Sequence, residues 1–156
     1  MPIQIKTTLN QIRSIAASGD NRIEKARRLA ELVHKLGNYR WVGVFDVGAE
    51  QVALLGWSGE AGISEYPTFP VSKGLTGAAI KQKKTVNVGD VRKDKRYITA
   101  FGSTVSDMIV PVLDPSGERV IGTVDVESDK LDAFGPADQQ MIEQCAQAAL
   151  PLWLLG

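Results

Sequence analysis

Asp107-Met108-Ile109-Val110-Pro111-Val112-Leu113 and Val120-Ile121-Gly122-Thr123-Val124-Asp125-Val126-Glu127 are joined by a segment that opens Asp114-Pro115-Ser116-Gly117. The two runs read as strands, and the join has Pro and Gly where a turn wants them, so the pair is expected to form a β-hairpin. Side chains alternate across a strand. Met108, Val110 and Val112 therefore share one face, and Val124 and Val126 can join them against helices. Asp107, Asp125 and Glu127 then point the other way. Strand pattern alone leaves two readings of these acids open. They form a functional carboxylate cluster, or Asp107 and Glu127 are solvated strand ends and only Asp125 is unusual, because it interrupts an apolar run.

Upstream of the hairpin, Ile12 to Leu36 has apolar residues at helical spacing, with Ile23, Ala26, Ala30 and Val33 on one stripe. Ser18-Gly19-Asp20-Asn21 divides this stretch into two helices. Asp20 is expected to cap the second and Gly37 to end it. The period becomes two from Tyr39. Trp41 to Phe45 and Val52 to Leu55 read as a second hairpin that turns at Gly48-Ala49-Glu50. Gly56 to Pro70 reads as a loop ending in a short extended stretch, Leu75 to Ile80 as a short helix, Thr85 to Val88 as a brief strand, and Asp90 to Ser106 as a long polar loop. Downstream, Phe134-Gly135-Pro136 starts a helix with Pro in its first turn, and Ile142, Cys145, Ala149 and Leu152 share a face. This order predicts an α+β fold, with a central antiparallel sheet, N- and C-terminal helices on one face and a loop-covered pocket on the other.

The 156 residues fit one domain, divided as 1–38 helices, 39–133 sheet and pocket, and 134–156 helix. Eighteen basic and eighteen acidic residues cancel, so there is no global field to hold nucleic acid or an acidic membrane surface. One cysteine makes no internal disulfide, and no Cys/His cluster has zinc spacing. With no apolar run of membrane-spanning length and no cleavable leader, the chain is expected in the cytoplasm, without cofactor or metal. The basic runs Lys81-Gln82-Lys83-Lys84 and Arg92-Lys93-Asp94-Lys95-Arg96 flank the brief strand and read as a solvated turn and loop. A local positive patch that binds nucleic acid, or that takes a ligand's phosphate, is the alternative, although no aromatic residues are interleaved for stacking on bases.

Several segments carry a resemblance. Trp41-Val42-Gly43-Val44-Phe45, Phe69 to Ala79, Val88-Gly89-Asp90-Val91, Ser106 to Pro111, Val120 to Ser128 and Phe134 to Asp138 resemble, in order and spacing, a GAF domain, and within that family the free methionine-R-sulfoxide reductase branch. The resemblance implies a substrate site beside an aromatic residue at Trp41 and three acids at Asp107, Asp125 and Glu127. The branch usually has Glu at the position of Asp107 and Asp at that of Glu127, so each reach differs by one methylene. Its cysteine positions fall on Tyr66, Thr76 and Ala100, none of which can supply an attacking thiolate or a resolving thiol. Cys145 reads as a buried core residue. Bilin attachment needs a pocket cysteine, and haem a placed histidine. His34, the sole candidate, sits where it can interact with the last carbonyls of the second helix. The signature of cyclic-nucleotide GAF domains is absent.

The expected function is therefore that of a stand-alone sensor or regulatory domain that binds a small polar ligand. An amine would suit three carboxylates and an indole wall. The alternatives are a divergent reductase, or a dimerisation module with a vestigial pocket. A homodimer is expected, with the apolar ends Ile12 to Ala17 and Leu150 to Leu155 as the interface for the dimerisation module.

Overall fold

The computed structural model describes residues 3–37, 39–60, 67–99 and 101–154. Helix α1 (Ile3–Ala17) leads through a short bend into α2 (Arg22–His34). The cap of α2 is Asn21, whose side chain accepts from the Glu24 amide at 2.9 Å, and not Asp20. The residue immediately before the helix is the one whose oxygen reaches the third amide, whereas Asp20 pairs with Arg28 at 2.8 Å. α2 also ends before Gly37, with Lys35 as its C-cap. A Cβ on Gly37 would stand 2.8 Å from the Tyr39 ring, so this glycine makes room for an aromatic side chain.

Six strands follow, β1 (Trp41–Val47), β2 (Gln51–Gly59), β3 (Thr68–Pro70), β4 (Val86–Val88), β5 (Ser106–Leu113) and β6 (Val120–Ser128), with α3 (Gly74–Gln82) before β4 and α4 (Pro136–Ala148) after β6. They form one sheet in the order β3-β2-β1-β6-β5-β4, antiparallel throughout. The α+β expectation stands. β2 runs to Gly59, further than its sequence suggested, because Gly56 lies directly under α2. A Cβ there would meet the Arg27 amide nitrogen at 2.5 Å, so the glycine is part of helix-on-sheet packing. Of the expected Gly56–Pro70 loop, residues 61–66 lie outside the described residues.

Val42, Val44, Met108, Val110, Val112, Val124 and Val126 are all at most 2 % exposed and form one core with Leu29, Val33, Ile142, Cys145 and Leu152 from the helices. At about 1.5–3 kcal/mol for each such side chain, this layer anchors the sheet and fixes which face remains for other use. Trp153 closes it. Its indole lies where a Gly122 Cβ would be and donates to the Phe45 carbonyl at 3.0 Å, where the β1–β2 register shifts. Ile12, Ile15, Ala16, Leu152 and Trp153 are thereby buried within the domain itself, so the proposed interface at the apolar ends is largely core. Leu154 is half exposed, and Leu155 lies outside the described residues.

The opposite face carries two smaller apolar groups. Leu75 and Ala79 of α3 pack with Val86, Val91 and Ile109, while Trp41, Phe45 and Val52 pack with Phe69 and Phe101. Between Asp90 and Ser106 the chain includes a 3-10 turn, Val91–Lys93, capped by Asp90. Among the described residues no helix is long and apolar enough to cross a membrane.

Candidate functional site

Strand register brings the four expected site residues together. Trp41 on β1 lies opposite Glu127 on β6, and Glu127 opposite Asp107 on β5, so the three form one row across the sheet. One step along, Gly43, Asp125 and Ile109 form the next row on the same face. Gly43 is the empty square of this board. A Cβ there would stand 2.3 and 2.4 Å from the Trp41 ring and 2.8 Å from Phe45, so only glycine lets the indole lie flat along the strand. Trp41 also packs on Phe101 and Phe45, with ring centroids 5.2 and 6.2 Å apart, and Phe45 packs on Phe69 at 6.0 Å.

Above these residues is a cavity of about 350 Å³. Trp41, Asp107, Asp125 and Glu127 line it from the sheet, Phe45 and Phe69 from one side, Gly74, Leu75 and Thr76 from the start of α3, and Tyr97 and Ile98 from the segment after the 3-10 turn. The first turn of α3 has no side-chain cap, so its amide hydrogens and positive dipole end remain available to an anionic group.

The carboxylates are not the solvated strand ends of the alternative reading. Asp107, Asp125 and Glu127 are 8, 6 and 5 % exposed. Burial, then the charges of Glu127 and Asp125, hold the Asp107 carboxyl well above the usual carboxylate range. Burial likewise raises Asp125, helped by the charge of Glu127 and offset in part by the neighbouring Thr123 hydroxyl. Glu127 is pushed up to about 7 by burial, against the pull of the Thr104 hydroxyl, which donates to Glu127 Oε1 at 2.9 Å. Near neutrality the trio therefore carries less than its formal charge. Asp107 Oδ1 and Asp125 Oδ1 have no hydrogen-bond partner. Buried polar oxygens are ordinarily satisfied, and these two line one cavity with their acceptor capacity unused. Among the described residues no group of three or more His, Cys, Asp or Glu is arranged to hold a metal.

Thr76 lines the cavity, whereas Tyr66 and Ala100 lie outside the described residues. Cys145 is fully buried in the helix-side core, across the sheet from the cavity, and burial pushes its thiol up to about 12. His34 does not cap α2. Its ring nitrogens lie 2.9 Å from Ser58 Oγ and 2.8 Å from the Tyr39 carbonyl, joining helix to sheet. Sequence reasoning missed Phe45, Gly43 and Thr104. The first two sit at period-two spacing from Trp41 and were open to discovery, but nothing in the sequence links Thr104 to Glu127.

The sequence profile of the GAF domain matches residues 24–150. The chain belongs to the GAF domain family. This GAF domain is 27 % identical over 142 residues to GAF domain-containing protein A of Dictyostelium discoideum, covering 90 % of this chain and 87 % of that one. It is 26 % identical over 107 residues to the free methionine-R-sulfoxide reductase of Saccharomyces cerevisiae, covering 69 % of this chain and 59 % of the yeast protein. Among solved structures, the free methionine-R-sulfoxide reductase of Neisseria meningitidis in complex with its substrate superposes with a TM-score of 0.83 at 24 % identity, over 96 % of this chain and 88 % of that one. That likeness is one of fold.

Proposed function

We propose that this GAF domain is a sensor or regulatory module whose cavity binds a small amine or amino acid without thiol redox chemistry. The observation that carries the reading is the pair of unpartnered, buried oxygens, Asp107 Oδ1 and Asp125 Oδ1, on one wall of the cavity. An ammonium group has three donors and a charge to offer them, and Trp41 adds an aromatic wall. The start of α3 lies on the cavity wall as well, and its uncapped amides suit a carboxylate, so an amino acid meets both ends. By its name the Neisseria protein acts on a free amino acid derivative, which fits a cavity of this size.

Isothermal titration calorimetry with a panel of amino acids and simple amines tests this. The expected result is saturable binding that Asp125→Asn abolishes. Because the free carboxyls are partly protonated, seating an ammonium group ionises them, and measured heats should vary with the ionisation enthalpy of the buffer. No binding across the panel would sink the proposal.

Similarity to the yeast reductase favours a second reading, a divergent reductase. The chain has one cysteine, across the sheet from the cavity, so it supplies no resolving thiol for an internal disulfide. Reduction of methionine-R-sulfoxide with dithiothreitol, abolished by Cys145→Ser, would establish that reading over ours.

A further inference from the structure

One residue of the first basic run and two of the second, separate in sequence, meet in the fold. Lys81, from the last turn of α3, and Lys95 and Arg96, from the segment after the 3-10 turn, face one groove of about 440 Å³ together with Lys73, the N-cap residue of α3. The floor is the α3 backbone, bare because it carries Gly74, Gly77 and Ala78. Gly77 is required there, since its Cβ would come within 2.6 Å of the Ser72 carbonyl carbon. Asp94 accepts two hydrogen bonds from the Arg96 guanidinium, at 3.0 and 2.7 Å. No carboxylate pairs with Lys73, Lys81 or Lys95 among the described residues. Four cations against Asp94 alone make a local excess in a chain whose formal charges sum to zero.

This groove adjoins the acidic cavity. Lys73, Gly74, Tyr97 and Ile98 line both, so the two share one boundary, and an extended ligand with one end on the carboxylates has the basic groove as its nearest neighbour across those four residues. The two compartments thus present opposite charge to the two ends of one extended ligand. We propose that the groove is a second subsite, which holds a phosphate-type anionic group at the far end of a ligand whose ammonium end sits on Asp107, Asp125 and Glu127.

Flexible lysines are point charges with several donors each, and they suit a tetrahedral dianion that offers oxygens in all directions. A groove of this volume fits one or two such groups. A polymer backbone would call for a longer basic stripe. The proposal rests on the reading of the cavity given above, and its test separates the two.

Affinities are measured for α,ω-aminoalkyl phosphates of increasing chain length and for the matching amino alcohols. The wild type is compared with the double variant Lys81→Gln/Lys95→Gln, which alters two exposed side chains of the groove and leaves Lys73, shared with the cavity, in place. Beyond a threshold length each phosphate should bind about tenfold tighter than its alcohol, as expected of one net charge-assisted contact. Raising the salt concentration should erode that advantage. The double variant should erase it and leave the alcohols unchanged. Equal affinities at every length, with the alcohols binding, would overturn the subsite while sparing the cavity. So would a double variant that weakens both series alike. If neither series binds, inorganic pyrophosphate is titrated against the amide resonances of Gly77 and Ala78. Saturable shifts lost in the double variant would then mark a free-anion site and refute the tethered ligand, and no shifts would refute the subsite altogether.

Discussion

Glu127→Gln should make this domain more stable at pH 8, although it replaces a buried residue. Glu127 has an ordinary value of 4.5 in the unfolded chain and about 7 in the fold, and burial is the leading cause. A carboxyl whose folded value is raised binds more protons folded than unfolded between those two values, so stability falls as pH rises from about 4.5 to 7 and then levels off. A shift of that size corresponds to about 3 kcal/mol lost across the window, and at 5 % exposure solvent screening does little to reduce it. Gln keeps the shape and an oxygen to accept from Thr104, yet carries no charge to desolvate. It also removes one of the charges that raise Asp107 and Asp125. Urea unfolding of both proteins at pH 5 and pH 8, compared by midpoint and slope, reads this directly. Wild type should lose stability between the two pH values, and Glu127→Gln should lose about 3 kcal/mol less, with weaker ligand binding as the cost. If the variant loses as much as wild type, or is the less stable protein at pH 8, the carboxylates are not under the strain described here, and the case for a site built to receive a cation falls with it.

Three further changes probe the scaffold. Gly43→Ala forces a methyl group into the Trp41 ring and should cost about 1–3 kcal/mol, together with an altered near-ultraviolet circular dichroism spectrum; an unchanged spectrum and stability would show that the indole is not held along β1. Trp153→Phe removes the donor to the Phe45 carbonyl and should cost about 1–3 kcal/mol in thermal or urea unfolding, whereas a loss well below that range would mean the carbonyl finds another partner. Cys145 should resist a thiol reagent under native conditions and react at a rate that follows unfolding as urea is added. Rapid native labelling would contradict its burial.

How much of this was legible in the residues differs from element to element. The hairpin of β5 and β6 was, because alternation and a Pro-Gly turn are local signals, and so was the helix-side core of Met108, Val110, Val112, Val124 and Val126. Helix caps were less so. Asp20 and Asn21 are adjacent and equally able to cap, and only the helix's true start at Arg22 selects Asn21. Gly56 looked like a loop residue because its reason, contact with α2, lies far away in sequence.

For the site, the sequence by itself determined which residue types share a face, since period two is a property of the strand. It could not determine that Asp107 and Glu127 are buried. Both sit at strand ends, where solvation is the ordinary outcome, and their burial comes from α3, Tyr97 and Thr104 reaching over the sheet from distant segments. Only tertiary structure decided that, because desolvation depends on what covers a charge, and the covering residues carry no local mark of where they will lie.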